Sequence, residues 1–348
     1  MFAKKNVVAA AALALLAMGA QAQVTLYGTA DVSLGRKQVI TGFDVNGKAI
    51  KSSSTNVDSS DMSQSFVGIK GQEDLGGGLK AVFKLEAPIA LDTGAATTNF
   101  FGQNATVGLA GDFGAVNLGR FESLYKLEGG AFNPFGTSKT FSPTFNTGLA
   151  SNDSWSNGIS YVSPNLSGLT LSAQVSLAET AKSTATTYSG GAYAVSANYV
   201  AGPLGLSAVF GEVKSTDATV PADKSRPWLL GASYDFGVVK LFGQYGQTKL
   251  NEKSPAASAK HKGFQVGVGV PVTANGAVLA SYGENKETIE NVSGSSKGRD
   301  FSLGYTHNLS KRTNVYAAVI NERVSDLTVA PAAKGTINSF AVGVRHSF

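Results

Sequence analysis

From residue 25 onward the chain reads as runs of about ten residues in which apolar and polar positions alternate. Successive side chains of a strand point to opposite faces, so each run describes a ribbon with one apolar face and one wet face. In 79–87, Leu79, Ala81, Phe83 and Leu85 share one parity, and Lys80, Lys84 and Glu86 the other. In 25–37, Leu26, Ala30, Val32 and Leu34 stand against Thr25, Thr29, Asp31 and Ser33. The run 264–270 sets Phe264, Val266, Val268 and Val270 on one side, with Gln265 among those opposite. The final run places Phe340, Val342, Val344, His346 and Phe348 on one parity and Ser339, Ala341, Gly343, Arg345 and Ser347 on the other. The pattern predicts sixteen such strands.

The connections alternate in length. Short ones at 74–78, 111–114, 164–168, 202–205, 235–237, 275–276 and 308–311 carry the glycine, proline or asparagine of tight turns. Long ones fall at 38–61, 88–104, 123–156, 179–190, 213–225, 249–260, 285–297 and 323–337, all at the opposite end. Long loops on one side and short turns on the other suit a transmembrane β-barrel. The chain start agrees: Lys4 and Lys5, an apolar run over 7–18 and then Ala20-Gln21-Ala22 have the order of a secretory signal. Cleavage is expected after Ala22, leaving a barrel domain over 23–348. The apolar run is too short to cross a bilayer as a helix, and no later stretch is long enough without charge. With no second apolar layer to pack against, the apolar faces are expected to meet lipid and the wet faces to enclose a lumen. Tyr161, Tyr199, Tyr234, Phe236, Tyr305, Phe340 and Phe348 lie near strand ends on the apolar parity, where aromatic girdles belong.

Composition narrows the function. The 41 glycines, 19 phenylalanines, 11 tyrosines and 15% charged residues fit a large β protein. The formal charge of +5 includes Lys4 and Lys5, so the exported chain is only weakly cationic and is no nucleic-acid binder. Cysteine is absent, so the fold must rest on its hydrogen-bond ladder, which a closed barrel completes without free edges.

One loop differs from the rest. The segment 123–156 carries Tyr125, Phe132, Phe135, Phe141, Phe145 and Trp155, with Pro134 in the turn Asn133-Pro134-Phe135-Gly136. An exposed loop gains nothing from so many aromatics, whereas a loop folded inward buries them, which predicts a constriction loop; an exposed partner-binding loop is the alternative. Charges on the wall opposite would set a transverse field. Lys80, Lys84 and Arg345 lie on the lumen parity, with Asp31, Glu86 and Glu122 as counter-charges and Glu128 in the loop itself. Strict alternation from Val116 and Leu118 sends Arg120 toward lipid, unless a bulge at Gly119 rotates it inward. The balance is slightly cationic and favours small anions weakly. Arg36, Lys297 and Arg299, near the outer strand ends, suit either lipopolysaccharide phosphates or plain solvation. His261, His307 and His346 are scattered without a nucleophile or metal-ligand spacing, so no enzyme, metal or cofactor is expected.

Three stretches carry a resemblance. Gln23-Val24-Thr25-Leu26-Tyr27-Gly28, the run from Val67 through Glu86 and Phe113-Gly114-Ala115-Val116-Asn117-Leu118-Gly119-Arg120 resemble the Gram-negative general porins of neisserial and β-proteobacterial type, as does the ending Val342–Phe348. The resemblance covers the whole chain. It implies a sixteen-stranded outer-membrane barrel, usually trimeric, that passes ions and small hydrophilic solutes. It further implies a third loop folded inward, a pore arginine at Arg120, and a terminal Phe348 read by the barrel-assembly machinery. The sequence departs from the family at Phe66 and Gln103, where the family often carries arginines lining the constriction. A substrate-selective channel and an adhesin or phage-receptor barrel are the alternative readings.

Overall fold

A computed structural model describes residues 23–95, 99–150, 154–178, 189–215, 222–252, 258–329 and 331–348. The expected signal sequence and its cleavage point at Ala22 lie outside the described residues. The first half of the wall comprises β1 (Gln23–Phe43), β2 (Ala49–Ser59), β3 (Phe66–Gly76), β4 (Leu79–Pro88), β5 (Asn104–Gly111), β6 (Gly114–Glu122), β7 (Ser154–Val162) and β8 (Leu169–Ser176). The second half comprises β9 (Ser189–Ala201), β10 (Leu204–Ser215), β11 (Ala222–Asp235), β12 (Lys240–Glu252), β13 (Ala259–Pro271), β14 (Gly276–Ile289), β15 (Ser296–Asn308), β16 (Thr313–Asp326) and β17 (Ala333–Ser347).

All neighbours pair antiparallel, and β17 returns to β1, with Thr29 opposite Ser347 and Arg36 opposite Phe340. On its other edge β1 pairs with β3 over Gln23 to Thr29 and with β2 from Val32 upward. β2 and β3 thus lie end to end as one stave broken at 60–65, and seventeen segments make a closed wall of sixteen. The break is held by Asp31, whose carboxylate accepts the backbone N–H groups of Met62 (3.0 Å) and Ser63 (2.6 Å) and the phenol of Tyr316 (2.7 Å). Those amides would otherwise be buried without partners.

Short turns close one end. At the β3–β4 turn Gly76, Gly77 and Gly78 take φ of 86°, 60° and 81°, a left-handed path that a side chain would strain. Faces sort by polarity in the sense opposite to a soluble core: Val107 is 59% exposed outward, whereas the inward Gln265 and Ser302 are 0% exposed. Outward aromatics ring the short-turn end at Tyr161, Tyr199, Tyr234, Phe236, Tyr305 and Phe348, while Phe340 sits higher, opposite Arg36 and Val319. A second girdle, not picked out from sequence, runs round the upper wall as the ring pairs Tyr193–Phe210, Trp228–Tyr245 and Phe264–Tyr282.

The stretches 38–61, 285–297 and 323–337, expected as loops, are largely strand. Above the lipid band both faces of a strand are polar, so pairing continues where hydropathy no longer alternates.

Candidate pore constriction

The segment 123–150 leaves the wall after β6 and turns into the barrel. Ser123 starts its helix α1 (Leu124–Ala131), the side-chain oxygen accepting the Lys126 N–H at 3.2 Å. A short helix α2 (Pro143–Asn146) begins on proline, whose fixed φ suits a first helical position. Leu124 and Tyr125 of α1, with Leu149 and Ala150, pack on Ala194, Val209 and Leu229, which face inward from β9, β10 and β11. Phe145 and Trp155 flank that cluster. Farther on, Phe135 and Phe141 join Met62, Tyr316, Ala318, Ile320 and Ala341 at the β16–β17 wall. The segment therefore crosses the enclosed space between two seats.

Glycines on the inner face make room for it. A Cβ at Gly231, Gly267, Gly283 or Gly304 would stand 2.5 to 2.9 Å from Phe132, Pro134, Pro143 or Phe135 respectively. Glycine inside a strand marks such a close approach. Hydrogen bonds fix the seats: Tyr125 Oη donates to Pro227 O at 2.8 Å, Gln244 Nε2 to Gly129 O at 2.9 Å, and Ser138 Oγ to Asp61 O at 2.6 Å. The Asp61 carboxylate accepts from Thr140 Oγ1 (2.7 Å) and Ser33 Oγ (2.6 Å) and pairs with Lys37 Nζ at 2.5 Å.

Among the charged candidates, Lys84, Glu122 and Glu128 border one recess of about 430 Å³, together with Asn104, Leu124 and Leu127. Glu86 lies beside it, held by Lys84 Nζ at 3.0 Å, by the Tyr27 phenol at 2.7 Å and by the Asn104 amide. Glu122 pairs with Lys126 at 2.7 Å. Glu128 accepts from Asn198 (2.6 Å) and Ser207 (2.8 Å); burial raises its pKa, and these donors oppose the rise. Three other candidates stand apart from the recess. Lys80 is exposed near the short turn opposite Asp74, Arg345 pairs across strands with Asp31 and Asn314, and Asp31 is committed to the stave break.

Around Arg120 the wall is irregular. Gly119 has φ of 127°, and the β6–β7 register shifts between Gly119 and Phe121. Arg120 itself stays opposite Ala105, and its guanidinium donates to Gly102 O at 2.7 Å and Ser156 Oγ at 2.5 Å. Beyond the shift, the Phe121 ring lies over Gly158.

Lys70 escaped the sequence reading. It sits directly opposite Lys84 on the inner face, its Nζ 4.6 Å from the Tyr27 ring centre. Counting back from the three-glycine turn would have paired the two lysines, because a hairpin turn sets the register. Asp61 carries no such signal, lying in a polar stretch without periodicity.

Compared with known proteins, the chain matches the Gram-negative porin family over residues 9–327. It is 33% identical to outer membrane porin protein 32 of Delftia acidovorans, across 99% of this chain and 100% of that protein. It is 28% identical to major outer membrane protein P.IB of Neisseria lactamica, across 99% of this chain and 100% of that one. Among solved structures, the anion-selective porin from Comamonas acidovorans aligns with a TM-score of 0.78 at 28% identity, covering 94% of this chain and 100% of its own. Porins are channels rather than enzymes and lie in the Gram-negative outer membrane, the setting in which a wall with an apolar exterior and a polar interior is stable. The sixteen-stave wall and these similarities along the whole chain agree: this chain belongs to the Gram-negative porin family.

Proposed function

We propose that the protein is a general-diffusion channel of the outer membrane, passing ions and small hydrophilic solutes with a weak preference for anions. One observation supports the preference most directly: Lys70 and Lys84 stand side by side on the inner wall, while the nearby acids are already engaged. Glu86 is bound by Lys84, Tyr27 and Asn104, and Glu122 by Lys126. Glu128 is buried, with its pKa raised. The segment 123–150 narrows the passage beside them and acts as the constriction loop. Fixed charges at a narrow, water-filled point filter ions by sign. Arg120 contributes one charge, held in place by Gly102 O and Ser156 Oγ, against the two of the Lys70–Lys84 pair.

The wider setting is inferred with it. Residues 1–22 are removed on export, Phe348 is read by the assembly machinery, three copies associate, and lipopolysaccharide surrounds the wall.

The test is the reversal potential of the purified protein in a planar bilayer under a potassium chloride gradient. The wild type is expected on the anion side, with Lys70→Gln/Lys84→Gln moving strongly toward zero and Arg120→Ala moving less. A cation-side potential, indifferent to the double substitution, discards the selectivity assignment and keeps the channel. Absence of conductance in folded protein overturns the channel itself.

A further inference from the structure

The inner wall carries an acidic patch that the preference for anions does not use. In the upper halves of β13 to β17 the inner parity holds Glu287, Asp300, Glu322 and Asp326, while every lysine and arginine there stands on the outer one. Asp300 of β15 faces Glu322 of β16 directly across the strands. Directly opposed residues hold their Cβ atoms about 5 Å apart, and like charges there repel. Spacing along the chain gave no sign of this pair, because only the register of β15 on β16 brings the two acids together.

No side chain relieves the repulsion. Asp300 is 5% exposed and Glu322 is half-buried. Among the described residues, neither carboxylate takes part in an ion pair or accepts a hydrogen bond. Lys37, the inner-face lysine on β1, is already held by Asp58 at 3.1 Å and Asp61 at 2.5 Å. Carboxylates withdrawn from water are costly unless a cation joins them.

Neutral oxygens beside the pair point to the same ligand. Ser302, two residues along β15 from Asp300 and on the same face, is 0% exposed, and its Oγ has no partner. Gln265 of β13, also 0% exposed, donates from Nε2 to Ser281 Oγ at 2.8 Å, which leaves its Oε1 unpartnered. Ser281 stands directly opposite Ser302, so the amide head of Gln265 reaches the same patch. Gly283, opposite Asp300 on the other side, adds no side chain, and a Cβ there would lie 2.8 Å from Pro143, which roofs the space. The donor set is therefore two carboxylates and two uncharged oxygens under the crossing segment. Oxygen ligands of this kind suit hard cations.

We propose that Asp300 and Glu322, with the oxygens of Ser302 and Gln265, form a site for one divalent cation, calcium, which ties β15 to β16 beneath the crossing segment. Two opposed carboxylates carry two charges, which a single divalent ion neutralises and a monovalent ion does not. Calcium accepts six to eight oxygens in flexible geometry, with waters completing its shell, whereas magnesium demands a near-ideal octahedron that side chains fixed on two strands do not set up. The site lies next to the β16–β17 seat, since Ile320, adjacent to Glu322 on the inner face of β16, packs in the same cluster as Phe135 and Phe141. The proposal is independent of conductance and of the sign of the ion preference.

The experiment titrates calcium chloride, and separately magnesium chloride, into the full-length protein in detergent, stripped of lipopolysaccharide and of metal, with binding read by calorimetry at constant pH. Asp300→Asn/Glu322→Gln is compared with the wild type and with a control, Glu287→Gln, higher on the same face. Resistance of unboiled samples to unfolding in dodecyl sulfate confirms that each barrel is folded. The wild type and the control are expected to bind one calcium per chain, magnesium at least tenfold more weakly, and the double variant to bind calcium at least tenfold more weakly than either. Thermal unfolding gives a second reading. Without metal, the double variant should unfold at a higher temperature than the wild type, because the opposed charges are gone, and calcium should raise the midpoint of the wild type and the control but not of the double variant. Calcium binding that survives the double substitution overturns the proposal, as does a wild type that takes up no calcium. A midpoint that responds to pH and not to calcium also overturns it, and assigns the pair a shared proton instead. Current through the same preparations bears on the channel alone, so the two readings fail separately.

Discussion

The crossing segment is held at its two seats by different chemistry. On β9–β12 the contact mixes apolar packing with directed polar bonds: Asn198 and Ser207 donate to Glu128, Gln244 to Gly129 O, and Tyr125 to Pro227 O. On β16–β17 the grip is mainly volume, with Phe141 at 0% exposure among Met62, Tyr316 and Ile320, and Asp61 as the polar tie. A seat built on packing fails when atoms are removed, and one built on a buried carboxylate responds to pH. The position of the segment therefore has two independent controls.

The largest expected effect removes the volume. Phe141→Ala should cost about 3–5 kcal/mol, the usual range for emptying a well-packed aromatic site. It should lower the thermal unfolding midpoint and raise single-channel conductance as the segment lifts from β16–β17. If both readings match the wild type, the distinction between the seats collapses. A smaller effect comes from the polar tie. Asp61→Asn leaves Thr140 and Ser138 with an acceptor but weakens the hold on Lys37, for a cost of about 1–3 kcal/mol. Current noise should grow with little change in mean conductance, and a quiet channel would show that packing alone holds that seat. Smallest is Glu128→Gln. Because burial raises the folded-state pKa of Glu128, its contribution to stability is complete at low pH and fades as pH rises through that folded value. Glutamine does not titrate, so the stability difference between pH 4 and pH 8 in urea unfolding should be smaller in the variant. An identical difference would mean that the donors Asn198 and Ser207 cancel the burial.

How far the sequence led depends on which face a residue serves. Leu26 and Leu34, or Val266 and Phe264, announce their strands because lipid demands an unbroken apolar parity. The upper ends of β1, β14, β15, β16 and β17 do not, because water surrounds both of their faces. The aromatic density of 123–156 drew attention to the segment that crosses the barrel, yet its sockets at Gly231, Gly267, Gly283 and Gly304 went unread. A glycine in a strand reveals a close approach without saying to what. The stave shared by β2 and β3 was equally silent, since the break at 60–65 is made by Asp31, a residue distant in sequence. Arg120 shows the limit of parity: the irregular wall is there at Gly119, and the arginine still pairs with Ala105.

The sockets that receive the segment have one more consequence, in the order of assembly. The segment is synthesised before every strand on which it rests, from Ala194 on β9 to Ala341 on β17. Contacts of such long sequence separation form slowly, because the intervening chain must first be ordered. The aromatic residues of 123–150 therefore wait unprotected while the second half of the wall is laid down, and the passage narrows only after the ring has closed. Contact order thus predicts that the wall closes first as a wide cylinder and that seating the segment, the step that narrows it, comes last.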